Sequence, residues 1–398
     1  MPAEPRPSDP SADTATEAPA ADSLFIGLMS GTSADGVDAV LLDTGSESLR
    51  TLGLTSLNFD GLLRQSIESL QRSGEDELAR AAFVANMLAD VYAAAVDQLL
   101  TRTSRRAVQI RAIGAHGQTV RHQPGRGYSI QLLNAARLSE LSGIAVVHDL
   151  RAADVAASGQ GAPLVPAFHA NVFSAAGYRR AIVNIGGIAN VSLLPATAGA
   201  GAATPKILGH DTGPGNTLLD LWHQRHCGGP FDAGGVWAAG GQVDAALLAA
   251  MRADPYFSAP PPKSTGRDHF NAAWIDKATS QSGARTRPRD VQATLSELTA
   301  LTIAEACRDS DEVYLCGGGT FNDDLIGRLR RHLAGIRLED TGALGIEPMA
   351  VEAAAFAWLA WRRVALEPGN LPAVTGARGP RVLGSVADPF GRLRDSKR

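Results

Sequence analysis

At 398 residues, 44% hydrophobic and 20% charged, the chain has the length and composition of two ordinary soluble domains. Its net charge of −4 excludes a basic field for nucleic acid or an anionic membrane, and a core of this size needs no disulfide or metal to fold. Cys227, Cys307 and Cys316 are odd in number and widely spaced, which argues against a disulfide framework and for a reducing compartment.

Residues 1–22 are rich in Pro, Ala, Asp, Ser and Thr and lack the apolar core of a signal peptide. They read as a disordered tail ahead of a cytoplasmic chain, whose longest apolar runs are broken short of a membrane span. The first folded half, 23–177, opens with an apolar run from Phe25, a polar turn Ser30-Gly-Thr-Ser-Ala-Asp-Gly36, and a second apolar run to Asp43. From about Asp76 to Thr103, Leu78, Ala82, Leu88, Val91, Ala95 and Leu99 recur at helical spacing. Ile110 to His116 and Ile144 to His148 read as buried strands ending in residues capable of chemistry. In open α/β sheets such carboxyl ends face ligands. The second half, 178–398, opens on a hairpin of the same design, Ala181 to Leu194, with Gly186-Gly187 at its tip. A surface loop at Ala196 to Pro205, a short helix from Asn216 to Cys227 and a longer one from Val291 to Cys307 follow. The strand Glu312 to Cys316 and an Ala-rich helix, Val351 to Val364, complete it, and the last segment is free to pack back on the first domain. Both halves are α/β. Two similar hairpins, each opening an α/β half, imply a duplicated architecture that holds a polyphosphate between its halves, and hence a nucleotide.

Gly31-Thr-Ser-Ala-Asp-Gly-Val-Asp38 packs two glycines, two hydroxyls and two carboxylates into eight residues. It reads as a phosphate cradle with Asp35 or Asp38 near the nucleotide's metal, or else as an ordinary Asp-Gly turn. Asn184-Ile-Gly-Gly-Ile-Ala-Asn190 is a second cradle or a tight turn with buried amides. Gly317-Gly318-Gly319, between a strand and a helix starting near Asp323, lets a flat group such as adenine lie on the backbone; the plainer reading is a strand-to-helix turn. None of these is a G-x-G-x-x-G or G-x-x-x-x-G-K-[ST] fingerprint, so hydride transfer and P-loop chemistry lose support. Asp211, in Gly209-His-Asp-Thr-Gly-Pro-Gly-Asn216, is a proton acceptor, or else Asp211 or Asn216 merely caps the helix, and spacing alone favours the cap. Arg151 suits a substrate carboxylate. His223, His226 and Cys227 lack a fourth ligand for zinc. Whether Pro260-Pro-Pro-Lys-Ser-Thr-Gly-Arg267 faces the cleft or the surface is not decided by the sequence.

Together these strings resemble the anhydro-N-acetylmuramic acid kinase family. The resemblance rests on Met29 to Asp38, His116-Gly-Gln-Thr-Val120, Gly159 to Pro166, Asn184 to Asn190, Asp211 to Asn216, Pro260 to Arg267, Cys316 to Gly319, Glu352 to Trp358 and Val374 to Ala377, in family order. It implies a two-domain actin-like ATPase fold of the acetate and sugar kinase, Hsp70 and actin superfamily, with ribonuclease H-like halves and ATP in the interdomain cleft. It implies conversion of 1,6-anhydro-N-acetylmuramic acid, ATP and water to N-acetylmuramic acid 6-phosphate and ADP, in recycling of cell-wall sugars. Carried over by motif, Asp211 is the base. Gly31, Thr32, Ser33, Ala34, Asp35, Gly36, Val37, Asp38, Gly186, Gly187, Gly317, Gly318, Gly319 and Asn322 hold ATP. His116, Gln118, Arg151 and Glu352 meet the sugar. Mg2+ comes with the nucleotide, with no separate protein metal site; the partners are small molecules, and a homodimer stays open. Ala34, Leu133, Ser158 and Glu347-Pro348-Met349 depart from the family pattern, and Leu133 bears on the shape of the sugar pocket. Two alternatives stand: a kinase of this fold acting on a simple hydroxyl or carboxylate without water, and a non-catalytic nucleotide-binding module.

Overall fold

The computed structural model describes residues 23–31, 34–46, 48–197, 206–261, 263–283 and 286–393. The tail at 1–22, Thr32, Ser33 and most of the 196–205 loop lie outside the described residues.

The first half runs β1 (Leu24–Met29), β2 (Gly36–Asp43) and β3 (Arg50–Asn58) as an antiparallel meander, then the helix Glu77–Arg102 and β4 (Ala112–Ala115). A separate hairpin, β5 (Gln118–Gln123) and β6 (Tyr128–Leu132), precedes β7 (Val146–His148). β4 lies parallel to β1, and β7 parallel to β4. The second half repeats the plan. β8 (Arg180–Ile185), β9 (Ile188–Leu194) and β10 (Leu208–Pro214) form the meander, and β11 (Glu312–Cys316) and β12 (Arg337–Asp340) add in parallel. The first five strands of one sheet are ordered β3-β2-β1-β4-β7, and the other sheet is ordered β10-β9-β8-β11-β12. This shared order is the duplication the two hairpins announced, and it gives each half the ribonuclease H-like topology.

Both faces of the first sheet are covered, so its strands are apolar throughout rather than alternating. Ile26, Leu28 and Leu41 face the helix Glu77–Arg102 through Leu88, Tyr92 and Val96. By length and a mean hydropathy of 1.3 that helix meets the criteria for a membrane span, contrary to the expectation that apolar runs stop short. Here its apolar face packs on the sheet. Phe25, Val40, Leu42, Ala112 and Val147 face the other way, toward the helix Val351–Val364. Ile182, Tyr314 and Cys316 of the second sheet reach the same cluster, so one core joins the halves. A helix apolar all round belongs in such a place, and residues 353–360 are all buried. Gly27 and Gly114 make the approach possible: a Cβ on Gly27 would overlap the Ala353 carbonyl, and one on Gly114 the Phe356 carbonyl. The chain then returns to the first sheet, where β13 (Ser385–Ala387) pairs antiparallel with β7. The stretch 178–398 therefore contributes a strand and a covering helix to the first half.

Candidate active site

The tip of the first hairpin is held from behind by the β4–β5 turn. His116 Nδ1 meets Ser30 O at 3.1 Å and Gln118 Nε2 donates to Gly31 O at 2.9 Å. Ser30 Oγ bonds Tyr92 Oη at 2.6 Å and donates to Gly117 O at 3.1 Å. Ala34 and Val37 are buried, so at these positions only the backbone can meet a ligand. Ala34 takes the left-handed conformation at φ 55, a region that favours glycine. Gly36 is required for another reason, since a Cβ there would overlap the Leu57 carbonyl of β3. Asp35 is exposed, with Arg64 no closer than 3.9 Å. Asp38 accepts from Ser56 Oγ at 2.5 Å, and burial raises its pKa against that hydrogen bond.

Behind this tip lies an ionic cluster. Arg151 Nη2 donates to His116 Nε2 at 2.8 Å and Nη1 to Gly161 O at 2.7 Å. Arginine only donates, so this network assigns His116 the tautomer with its proton on Nδ1, given to Ser30 O. Burial, helped by the Arg151 charge, pushes the His116 pKa down to about 3 and keeps the ring neutral. Burial also lowers Arg151, to about 10, while Glu352 opposes it. Glu352 Oε1 accepts from Asn184 Nδ2 at 3.2 Å. Its pKa is raised first by burial and then by the charge of Asp38, with Asn184 and Arg151 working the other way. His116, Arg151, Asp38 and Glu352 are thus brought together across the two halves. Arg151 was expected to offer its fork to a substrate carboxylate; Nη1 and Nη2 each donate one hydrogen bond, to Gly161 O and His116 Nε2, which ties the side chain to the turn behind the hairpin tip and leaves three of its five N–H donors without a protein partner among the described residues. Gln118 is fully buried and serves the hairpin loop through its Nε2.

The second hairpin turns at Gly186-Gly187. Its carbonyls cap the helix Asn216–Cys227: Gly186 O accepts from Asn216 N at 2.8 Å, and Gly187 O accepts from Gly215 N at 2.9 Å and Thr217 N at 3.1 Å. No side chain caps this helix. Asn216 Nδ2 donates instead to Ile185 O at 3.1 Å. The reading of Asp211 as a cap is therefore wrong, because the hairpin already satisfies the helix end. Asp211 Oδ2 accepts from Thr265 N at 2.9 Å, Asp211 N donates to Lys263 O at 3.0 Å, and Tyr256 Oη donates to Asp211 O at 2.7 Å. Lys263 Nζ fastens the loop by donating to Tyr256 O at 3.0 Å and Phe257 O at 3.2 Å. Burial raises the Asp211 pKa and the Thr265 N–H opposes it. Oδ1 of Asp211 has no protein partner among the described residues. The Pro260–Arg267 motif thus closes on Asp211 through Lys263 and Thr265. Tyr256, Lys263 and Thr265 are residues the sequence reading did not assign; the only sequence signal was that motif itself.

Register places these groups in one row. Asp211 pairs with Asn190, Asn190 with Asn184, and Asn184 with Cys316. With strands about 4.8 Å apart, Asp211 lies roughly 10 Å along the row from Asn184, and Asn184 reaches Glu352.

The Gly317-Gly318-Gly319 loop divides its work. Gly317 takes φ +81, and a Cβ there would overlap Asn184 Oδ1; at Gly319 it would overlap the Ile185 side chain. Those two are packing glycines. Gly318 alone is open, with Asn216 Nδ2 the nearest atom, 3.8 Å from an added Cβ. Asn322 was expected to bind the nucleotide, but its Oδ1 accepts from Leu325 N at 3.0 Å and caps the helix Asp323–His332. The exposed Phe321 beside this loop was not anticipated. Among the described residues, no group of three His, Cys, Asp or Glu converges as a metal cage.

The model of the anhydro-N-acetylmuramic acid kinase family matches residues 23–389. The protein of that name from Variovorax paradoxus (strain S110) is 52% identical over 375 residues, covering 92% of this chain and 99% of that one. Its counterpart from Chromobacterium violaceum is 49% identical over 370 residues, covering 91% and 98%. Among solved structures, the activator of the 2-hydroxyisocaproyl-CoA dehydratase from Clostridium difficile with bound ADPNP aligns with a TM-score of 0.38 at 14% identity, covering 85% of this chain and 97% of that one. A ROK family glucokinase from Streptomyces griseus with glucose and AMPPNP aligns at 0.35 and 14%, covering 84% and 99%. With one duplicated topology, a family model matching residues 23–389 and relatives about half identical over nearly their whole length, this chain belongs to the anhydro-N-acetylmuramic acid kinase family.

Proposed function

We propose that this chain converts 1,6-anhydro-N-acetylmuramic acid, ATP and water to N-acetylmuramic acid 6-phosphate and ADP, with Asp211 as the base. The observation that carries the assignment is the state of Asp211. One carboxylate oxygen is pinned by the Thr265 N–H and the other has no partner among the described residues, in the middle of β10 where it pairs with β9 of the second hairpin. In the anhydro sugar O6 is bonded to C1, so it cannot take a phosphoryl group until that bridge opens. Water attacks C1 and gives its proton to Asp211; the C1–O6 bond breaks; O6 takes the γ-phosphoryl group and ADP leaves. Holding the three reactants in line supplies much of the rate.

ATP would lie between the first hairpin, the Gly186-Gly187 turn and the open face of Gly318. Mg2+ supplies charge neutralisation on the phosphates, and Asp38 is the carboxylate best suited to face it. Asp38 is half-buried and repels Glu352, a conflict a cation relieves. Neutral His116 and Arg151 act as positioning residues for the hairpin tip and for Glu352, which faces the sugar. The cysteines are all unpaired, which fits a reducing cytoplasm where ATP is available.

The test is product analysis in ¹⁸O-labelled water. The label is expected at C1 and the phosphate on O6, above a control in which finished product is incubated in the same water. Phosphorylated product without label at C1 would indicate a kinase that uses no water. Label only in inorganic phosphate would indicate simple ATP hydrolysis.

A further inference from the structure

The Pro260–Arg267 motif has a second end that the base does not use. Thr265 holds Asp211, and two residues later the Arg267 guanidinium lies over the tip of the second hairpin. A Cβ placed on Gly187 would come 3.6 Å from Arg267 Nη2 and 2.7 Å from Thr217 Oγ1. Neither group has a hydrogen-bond partner among the described residues. Thr217 is only 7% exposed, yet its hydroxyl has no hydrogen-bond partner. Arg267 makes no hydrogen bond or ion pair among the described residues. Asp220, one turn beyond Thr217, feels the Arg267 charge without pairing with it.

A buried hydroxyl without a partner is costly, and a planar fork of donors matches phosphate oxygens. The missing Cβ of Gly187 leaves the space between them. We propose that Arg267 and Thr217 bind the transferring phosphoryl group at the second hairpin, Arg267 stabilising the charge that builds on it. Thr265-Gly266-Arg267 then ties the proton acceptor to the groups that bind the transferring phosphoryl. Two residues span at most about 7 Å, so a phosphate that fixes Arg267 also fixes the N–H that aims Asp211.

This rests on the nucleotide reading of the cleft, and the test separates the two. Affinities for AMP, and for MgADP with aluminium fluoride as a mimic of the transferring group, are measured by calorimetry without sugar. Arg267→Ala is expected to leave AMP binding within twofold and to weaken the fluoride complex about a hundredfold, with kcat falling by a similar factor. Free guanidinium should restore part of kcat, and Arg267→Lys should fall between because it lacks the fork. Thr217→Val, close in shape, should weaken the fluoride complex with the melting temperature unchanged. A fluoride complex weakened less than threefold by Arg267→Ala, or AMP weakened equally, overturns the assignment. Because the binding arm needs no sugar, failure of the wild type to open the anhydro sugar would sink the functional reading and leave this one standing.

Discussion

Asp211 shows how one residue is made a base by its surroundings. Its backbone is tied at both polar atoms, to Lys263 and Tyr256, and one carboxylate oxygen is held by Thr265. An amide can present its oxygen to that N–H without disturbing the loop, but it cannot take a proton. Asp211→Asn is therefore expected to lose about a hundredfold to ten-thousandfold in kcat, with the melting temperature and ATP affinity retained; turnover within tenfold of wild type would remove it from this role. Burial raises its pKa, and only the ionised form is a base. The rate should thus fall as pH drops through a value above 3.8, the ordinary carboxylate position. A pH profile of kcat/KM with no acid limb above that value would contradict it. Asp211 was visible in the sequence as a lone carboxylate in a rigid turn. Its partners were not, because Thr265 and Tyr256 reach it from a loop more than 40 residues away, and local spacing could only offer a helix cap.

At the scale of elements, glycine was read as room for a ligand against the backbone, phosphate at the hairpins and a flat group such as adenine at Gly317-Gly318-Gly319; among the glycines of that loop only Gly318 has open space at the Cβ position. Gly36, Gly317 and Gly319 are glycine because a neighbouring strand occupies the Cβ position. The left-handed turn conformation that favours glycine falls on Ala34 in the first hairpin, at φ 55, and on Ser158, at φ 67. The hairpins themselves and most helices were legible, since their periodicity is local. Leu133, which raised doubt about the sugar pocket, lines an open groove with Asn86, Asn134, His148 and Ala387. β1 and β4 both press their backbone against the helix Val351–Val364, at Gly27 and at Gly114. A methyl on Gly114 would meet the Phe356 carbonyl, and backbone on both sides leaves little room to yield. Gly114→Ala is expected to cost about 1–3 kcal/mol, read as a lower denaturation midpoint. Gly125→Ala, with nothing within 4 Å of the added carbon, is the matched control and should not move it. Equal midpoints for the two variants would mean the helix sits farther from the strand.

The whole molecule is less divisible than its sequence suggests. Two repeated halves are easy to read from two hairpins, whereas the return of the chain to the first sheet rests on three residues, Ser385–Ala387, too short to carry a pattern. Arg111 extends the tie by donating from Nη1 to Arg392 O at 2.8 Å. The larger dependence is the shared core. In a fragment of residues 23–177, Phe25, Val40, Leu42 and Val147 would lose the cover of the helix Val351–Val364. Each forfeits about 1.5–3 kcal/mol, a sum comparable with the entire stability of a domain, about 5–15 kcal/mol. The fragment 23–177 is therefore expected to show no cooperative thermal transition by itself. Supplying 178–393 as a separate chain should restore one, together with nucleotide binding, because it brings back both the covering helix and β13. A fragment that melts cooperatively near the temperature of the intact protein would show that the first sheet needs neither, and that the two halves are joined only by the cleft they form.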